Sequence, residues 1–96
     1  MARDRTKLAD AEVQAFLHKW TGWALEGGAL KKTYAFRDFR AAMAFVNRVA
    51  DAAEAADHHP DIDIRYSKVT LVLVTHDAGG LTQRDTALAA QVDRFA

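Results

Sequence analysis

The sequence predicts an α+β domain: a four-stranded antiparallel sheet with three helices packed on one face, in the order α-β-β-α-β-β-α. Three observations predict it. Apolar residues recur at helical spacing in three stretches, one early, one central and one at the end of the chain. Between them lie two pairs of short extended runs, each pair joined by a tight turn. Strands that arrive as hairpins favour an antiparallel sheet, and the helices then cover one of its faces. The other face is left open or meets a second subunit.

The first helix is read from Val13, Phe16, Leu17 and Trp20, which fall at i, i+3, i+4 and i+7, with Asp10 as its expected cap. In "GWALEGGALKKTYAF" the Gly27-Gly28 pair separates two short runs, and Leu30, Lys32, Tyr34 and Phe36 share one parity, so a hairpin is expected. "RDFRAAMAFVNRVADAAEAAD" is the longest helix. Asp38 is its expected cap, and its expected buried face is Phe39, Met43, Val46, Val49-Ala50 and Ala53, with Phe45 flanking. Pro60 closes the region, because the residue before a proline avoids the α conformation. Ile62, Ile64 and Tyr66 then alternate with Asp61, Asp63 and Arg65, the pattern of a half-buried strand. After a turn near Ser67-Lys68, "KVTLVLVT" is apolar on both parities and reads as a central strand. "HDAGG" is a turn, and a last helix from about Thr82 directs Leu88, Val92 and Phe95 inward.

Ninety-six residues, half of them hydrophobic, make one small domain over 1–96 with a thin core, and association is the expected way to strengthen it. The formal net charge is zero and Lys and Arg are dispersed, so neither nucleic acid nor an anionic membrane is an expected partner. The absence of cysteine excludes disulfides and thiolate chemistry. The start, "MARDRTKLADAE", lacks the apolar stretch of a signal peptide, and no run approaches a membrane span, so the expected compartment is the cytoplasm.

The chemistry-bearing residues concentrate around "EAADHHPDIDIRY". A helix that reaches His58 puts Glu54 and His58 at i and i+4, where a carboxylate can accept the imidazole N–H, hold the ring and raise its basicity. His59 leaves the helix end in another direction. His76 ends the central strand, a common place for function on a rigid scaffold. Asp85 lies in the first turn of the last helix, three residues after Thr82. Structural readings stand beside these: Glu54–His58 as a surface pair, His59-Pro60 as a helix stop, Asp85 as half of a capping box with Thr82, His18 as solvated, and Trp20 and Trp23 as core or interface. Three histidines and a carboxylate could also hold zinc, but neither HxxxH nor HExxH occurs and adjacent histidines rarely converge on one ion, so no metal is expected. GxSxG, GxGxxG and GxxxxGK[ST] are absent, and Ser67 is the sole serine.

The spacing of Glu54, His58-His59-Pro60, Tyr66, His76 seventeen residues after His59, and Asp85 nine beyond that resembles the signature of the pterin-4a-carbinolamine dehydratases. "GWALEGGALKKTYAFRDFRAAMAFVNRVADAAEAADHHP" and "SKVTLVLVTHDAGGLTQRD" are similar to that family's central stretch and closing hairpin, and the likeness runs from Leu8 onward. The resemblance implies a hydro-lyase that removes water from 4a-hydroxytetrahydropterin to give the quinonoid dihydropterin, recycling the cofactor of aromatic amino-acid hydroxylases. It implies His58, His59 and His76 as catalytic histidines, with Glu54 and Asp85 orienting them or tuning them. It further implies Asp57, Val74, Thr75 and Asp77 lining the pterin site, with Trp23 at or near its wall. No cofactor is expected, since no electrons move. A homodimer or homotetramer is expected, and the alternatives are a protein-binding coactivator or dimerisation role through a helical surface and a dehydratase-like member acting on another pterin.

Overall fold

The structure, a computed structural model, describes residues 6–96; the first five residues of the charged start lie outside the described range. The elements follow the expected order: α1 (Asp10–Lys19), β1 (Ala24–Glu26), β2 (Ala29–Ala35), α2 (Phe39–Ala56), β3 (Asp61–Arg65), β4 (Lys68–Leu73) and α3 (Gln83–Phe95), with a 3₁₀ turn at His76–Ala78 before α3. The four strands form one antiparallel sheet in the order β1-β2-β4-β3. "KVTLVLVT" accordingly supplies the central strand expected of it. Gly27 and Gly28, both at positive φ, make the β1–β2 turn.

Cross-strand pairing fixes which side chains face the helices. Leu30, Lys32 and Tyr34 of β2 stand opposite Leu73, Leu71 and Val69 of β4. The apolar members of this set are buried against Phe45, Val49, Leu88, Ala89 and Val92 from α2 and α3. Lys32 occupies a core-side position because its ammonium reaches Asp93 of α3 at 2.8 Å and the Thr21 carbonyl at 3.2 Å. The opposite face carries Lys31, Thr33 and Ala35 against Val72, Thr70 and Lys68, and it is the uncovered side of the sheet.

Three local expectations are corrected. The buried face of α2 is Ala42, Phe45, Val49, Ala52 and Ala53: Val49 and Ala53 are where they were expected, Phe45 is part of the face and not only beside it, and Phe39, Met43 and Ala50 are not part of it. Phe39 is half exposed and Ala50 is exposed. The two sets are offset by about 100°, roughly one residue of helical rotation, and the docking of α2 on the sheet selects between them. β3 is exposed at every position, including Ile62 and Ile64, because it is an edge strand beyond the reach of the helices. Helix α1 begins at Asp10 with Ala9 as its flanking residue, and Glu12, not Asp10, accepts the Ala9 N–H, at 2.9 Å. Asp38 does cap α2, accepting the Ala41 N–H at 2.8 Å.

Candidate active site

The end of α2 sets the directions of both adjacent histidines. Asp57 adopts the left-handed conformation (φ 50°, ψ 43°), which Asp tolerates better than most residues because its short side chain can bond locally. The Asp57 and His58 N–H groups donate back to the Glu54 and Ala53 carbonyls, closing the helix. Arg84 of α3 donates to the Asp57 carbonyl and ties this corner to the start of α3. The chain therefore reverses before His58, and the helical i, i+4 relation between Glu54 and His58 does not form. Glu54 instead meets His59, with Nε2 and Oε2 2.6 Å apart, and both side chains are exposed to solvent. The expectation that Glu54 holds His58 is corrected to Glu54 holding His59.

His58 turns inward. Its Nε2 lies 2.6 Å from Oδ1 of Asp85, whose side chain is 0% exposed. The other carboxylate oxygen of Asp85 accepts the Thr75 hydroxyl at 2.7 Å and the Thr82 N–H at 2.9 Å. The Thr75 and Thr82 hydroxyls are themselves 2.8 Å apart. Thr82 caps α3 through its own oxygen, which accepts the Arg84 N–H. Asp85 thus completes the capping box and binds a histidine from another element with the same carboxylate. The capping contact and the contact with His58 coexist, one on each oxygen.

The chemistry of this arrangement follows from its burial. A buried carboxylate is costly unless hydrogen bonds supply what water would have given. Here a hydroxyl and a backbone N–H supply two, both to one oxygen. The remaining oxygen faces an imidazole nitrogen, which is satisfied when Nε2 carries the proton. In the neutral imidazole this contact selects the tautomer with Nδ1 unprotonated, the form a general base uses.

Thr75 closes the base of the loop that bears His76. Its N–H and C=O bridge to Gly80, and His76 opens the 3₁₀ turn between them. His76 and Asp77 are exposed, and Val74 is half-buried. The network therefore brings together the segments of His58, Asp85 and Thr75, with His76 adjacent in the chain. A recess of about 290 Å³ beside His58 is lined by Gln83, Arg84, Leu88 and Gln91; His59 and His76 are not part of its wall. Among the described residues no group of three His, Asp or Glu side chains is disposed to hold a metal ion. No helix among them is long and apolar enough to cross a membrane.

Trp23 is not brought to the histidines. Its N–H donates to Asp93 at 3.1 Å and its ring meets Tyr34 edge-on. Asp93 lies eight residues along α3 from Asp85, about 12 Å at the helical rise. A larger cleft of about 450 Å³ opens there, lined by Lys32, Tyr34 and Asp93, whose polar atoms bond one another. Burial, and then the Asp93 carboxylate, hold the Tyr34 phenol well above its ordinary titration range. Two contributors were not foreseen from sequence: Thr82 as a hydroxyl donor and Arg84 as the clamp on Asp57. Neither has a spacing signature, since both act across elements.

With this geometry in view, comparison with known proteins identifies the family. A family model described as pterin 4 alpha carbinolamine dehydratase matches residues 6–95, and the chain belongs to that family. A relative from Thermomicrobium roseum is 54% identical over 90 residues, 94% of this chain and 97% of its own, and carries pterin-4-alpha-carbinolamine dehydratase as a provisional name. A relative from Roseiflexus is 57% identical over the same coverage and carries the same provisional name. A crystal structure of a transcriptional coactivator/pterin dehydratase from Brucella melitensis is similar with a TM-score of 0.91 at 30% identity, covering 95% of this chain and 99% of that one. A pterin dehydratase-like protein described as a RuBisCO assembly factor in the alpha-carboxysome is similar with a TM-score of 0.67 at 28% identity, covering 76% of this chain and 87% of that one.

Proposed function

We propose that the chain removes water from a 4a-hydroxytetrahydropterin, giving the quinonoid dihydropterin, with His58, His59 and His76 as its acid–base groups. The observation that carries this reading is the buried Asp85 carboxylate, which holds His58 and, through Thr75, the base of the His76 loop. In the reaction the C4a–O bond breaks as one imidazole protonates the leaving hydroxyl. Another group takes the proton from N5, and the N–H electron pair becomes the new N5–C4a double bond. Substrate and product differ by one water, so the step is redox-neutral. Each proton transfer of this kind contributes roughly 10²–10⁴ in rate. Glu54 and Asp85 orient His59 and His58, and Asp57, Val74 and Asp77 are assigned to the pterin-lining segments beside them. A cytoplasmic setting belongs to the same reading.

The test is spectroscopic decay of the carbinolamine with purified protein. The wild type accelerates decay; His58→Ala, His59→Ala and His76→Ala slow it sharply while circular dichroism stays native. Decay at the uncatalysed rate with wild-type protein overturns the reading.

Self-association is a further part of the proposal. Among the described residues the outer edge of β3 has no partner strand and shows Ile62, Ile64 and Tyr66 to solvent, a surface that proteins otherwise blunt or pair. A twofold antiparallel pairing centred on Asp63 sets Asp61 of each copy against Arg65 of the other, and Ile62 against Ile64. The Asp61–Arg65 pairs favour that register, while the two Asp63 carboxylates that face each other at its centre oppose it and are offset by Arg65, whose Nε donates to Asp63 of the same strand at 3.1 Å.

A protein-binding role is the second reading. It is favoured by Phe39, 50% exposed on α2, and by the Brucella relative described as a transcriptional coactivator. Phe39→Glu separates the two roles: dehydration persists, while capture of a partner is lost if the second reading holds.

A further inference from the structure

Thr75 falls among the residues that the family resemblance assigns to substrate contact, yet its side chain is not available for it. The residue is 2% exposed. Its hydroxyl stands 2.7 Å from Oδ2 of Asp85 and 2.8 Å from the Thr82 hydroxyl. The Thr82 oxygen already accepts the Arg84 N–H. The arrangement that satisfies every atom runs one way: the Thr82 O–H donates to Thr75, and the Thr75 O–H donates to Asp85. A hydrogen bond that ends on a charged acceptor in a dry interior is strong, and donors in series polarise one another.

We infer that Thr75 is a positioning residue: its hydroxyl fixes the Asp85 carboxylate, and through it the ring and tautomer of His58, while its backbone pins the loop carrying His76. The geometry is specific. Oδ2 receives Thr75 and the Thr82 N–H, so the carboxylate cannot rotate about its own axis without giving up both. Oδ1 is thereby held at the His58 nitrogen. The Thr75 N–H and C=O pair with Gly80 across the His76 turn. One residue thus joins two histidine-bearing segments that are far apart in sequence. Removing the hydroxyl leaves Oδ2 with a single donor in a buried site, and the carboxylate gains freedom to swing off His58.

The kinetic part of this inference rests on the proposed dehydration; the structural part does not. The experiment compares wild type, Thr75→Val and Thr75→Ser, using ¹⁵N-edited NMR of the His58 ring N–H and steady-state dehydration kinetics. Valine keeps the shape and removes the hydroxyl; Thr75→Ala replaces it if the valine protein does not fold. The wild type is expected to show a slowly exchanging His58 Nε2–H. In Thr75→Val that proton exchanges rapidly, kcat falls by roughly 10- to 100-fold, the size of a lost hydrogen bond to a charged group, and KM stays within about twofold. Thr75→Ser restores both signals, which a packing role for the methyl would not allow. An unchanged ring N–H in Thr75→Val overturns the inference, and so does a raised KM at unchanged kcat, which would place Thr75 on the substrate. Should the wild type show no dehydration, the proposed function falls, and the ring N–H comparison still decides whether Thr75 positions His58.

Discussion

Replacing Asp85 with asparagine keeps the size of the side chain and removes its charge. The carboxylate accepts three donors: His58 Nε2 at 2.6 Å, the Thr75 hydroxyl at 2.7 Å and the Thr82 N–H at 2.9 Å. Asparagine has one acceptor oxygen and one donor amide. If the oxygen stays with Thr75 and Thr82, the amide faces His58 and forces Nε2 to become the acceptor. The ring proton then moves to Nδ1, and the nitrogen that had been free to take a proton already carries one. If the oxygen stays with His58, the amide meets the Thr82 N–H, and a buried donor is orphaned at about 1–3 kcal/mol. The first arrangement costs less in folding, so Asp85→Asn is expected to fold, with a midpoint lowered by roughly 4–8 °C for each kcal/mol lost in a domain of this size. Dehydration is expected to fall by about 10²–10⁴, the usual share of one general acid–base group. The assays are carbinolamine decay, thermal unfolding and the ¹⁵N tautomer signature of His58. Wild-type turnover, or a His58 tautomer that does not change, would show that Asp85 does not set the His58 ring.

Other perturbations test the remaining parts. Phe45→Ala, at 4% exposure, is expected to cost about 3–5 kcal/mol in urea unfolding, whereas Phe39→Ala, half exposed, costs about 1 kcal/mol or less; equal costs would restore the stripe read from sequence. Tyr34 has its folded titration raised by burial and by Asp93, so its contribution is complete below the ordinary tyrosine range near about pH 10 and is lost as pH rises above it, by about 1.4 kcal/mol per pH unit. Urea midpoints at increasing alkaline pH should fall less steeply in Tyr34→Phe than in wild type, and identical slopes contradict the assignment. Ile64→Lys puts a charge on the free edge of β3 and is expected to convert a dimer to a monomer by light scattering without loss of helicity; a monomeric wild type removes the proposed pairing.

The sequence was most informative where a local rule had no competitor. The Gly27-Gly28 turn, the Asp38 cap and the doubly apolar central strand are all local, and the element order follows from them. It was least informative where two local rules agreed with different outcomes. Phe39 and Phe45 both sit at helical spacing, and only the docking of α2 on the sheet decides between them. Ile62 and Ile64 alternate as a half-buried strand should, but strand order at the sheet edge is set by long-range pairing. Glu54 and His58 have the spacing of a helical pair, and one left-handed residue, Asp57, cancels it and hands Glu54 to His59. Asp85 shows the same limit in a different form. Its spacing from Thr82 announces a capping box, and nothing local announces that the second oxygen reaches a histidine 27 residues back in the chain.

In the proposed mechanism the histidines at the α2 end and beyond the β4 end serve one pterin. Titrating the protein with a dihydropterin, while following the ring resonances of His58, His59 and His76 by NMR, addresses it without relying on turnover. If one pterin contacts all three histidines, all three sets move together along one saturation curve. Resonances that stay fixed, or a response confined to one histidine, would contradict it.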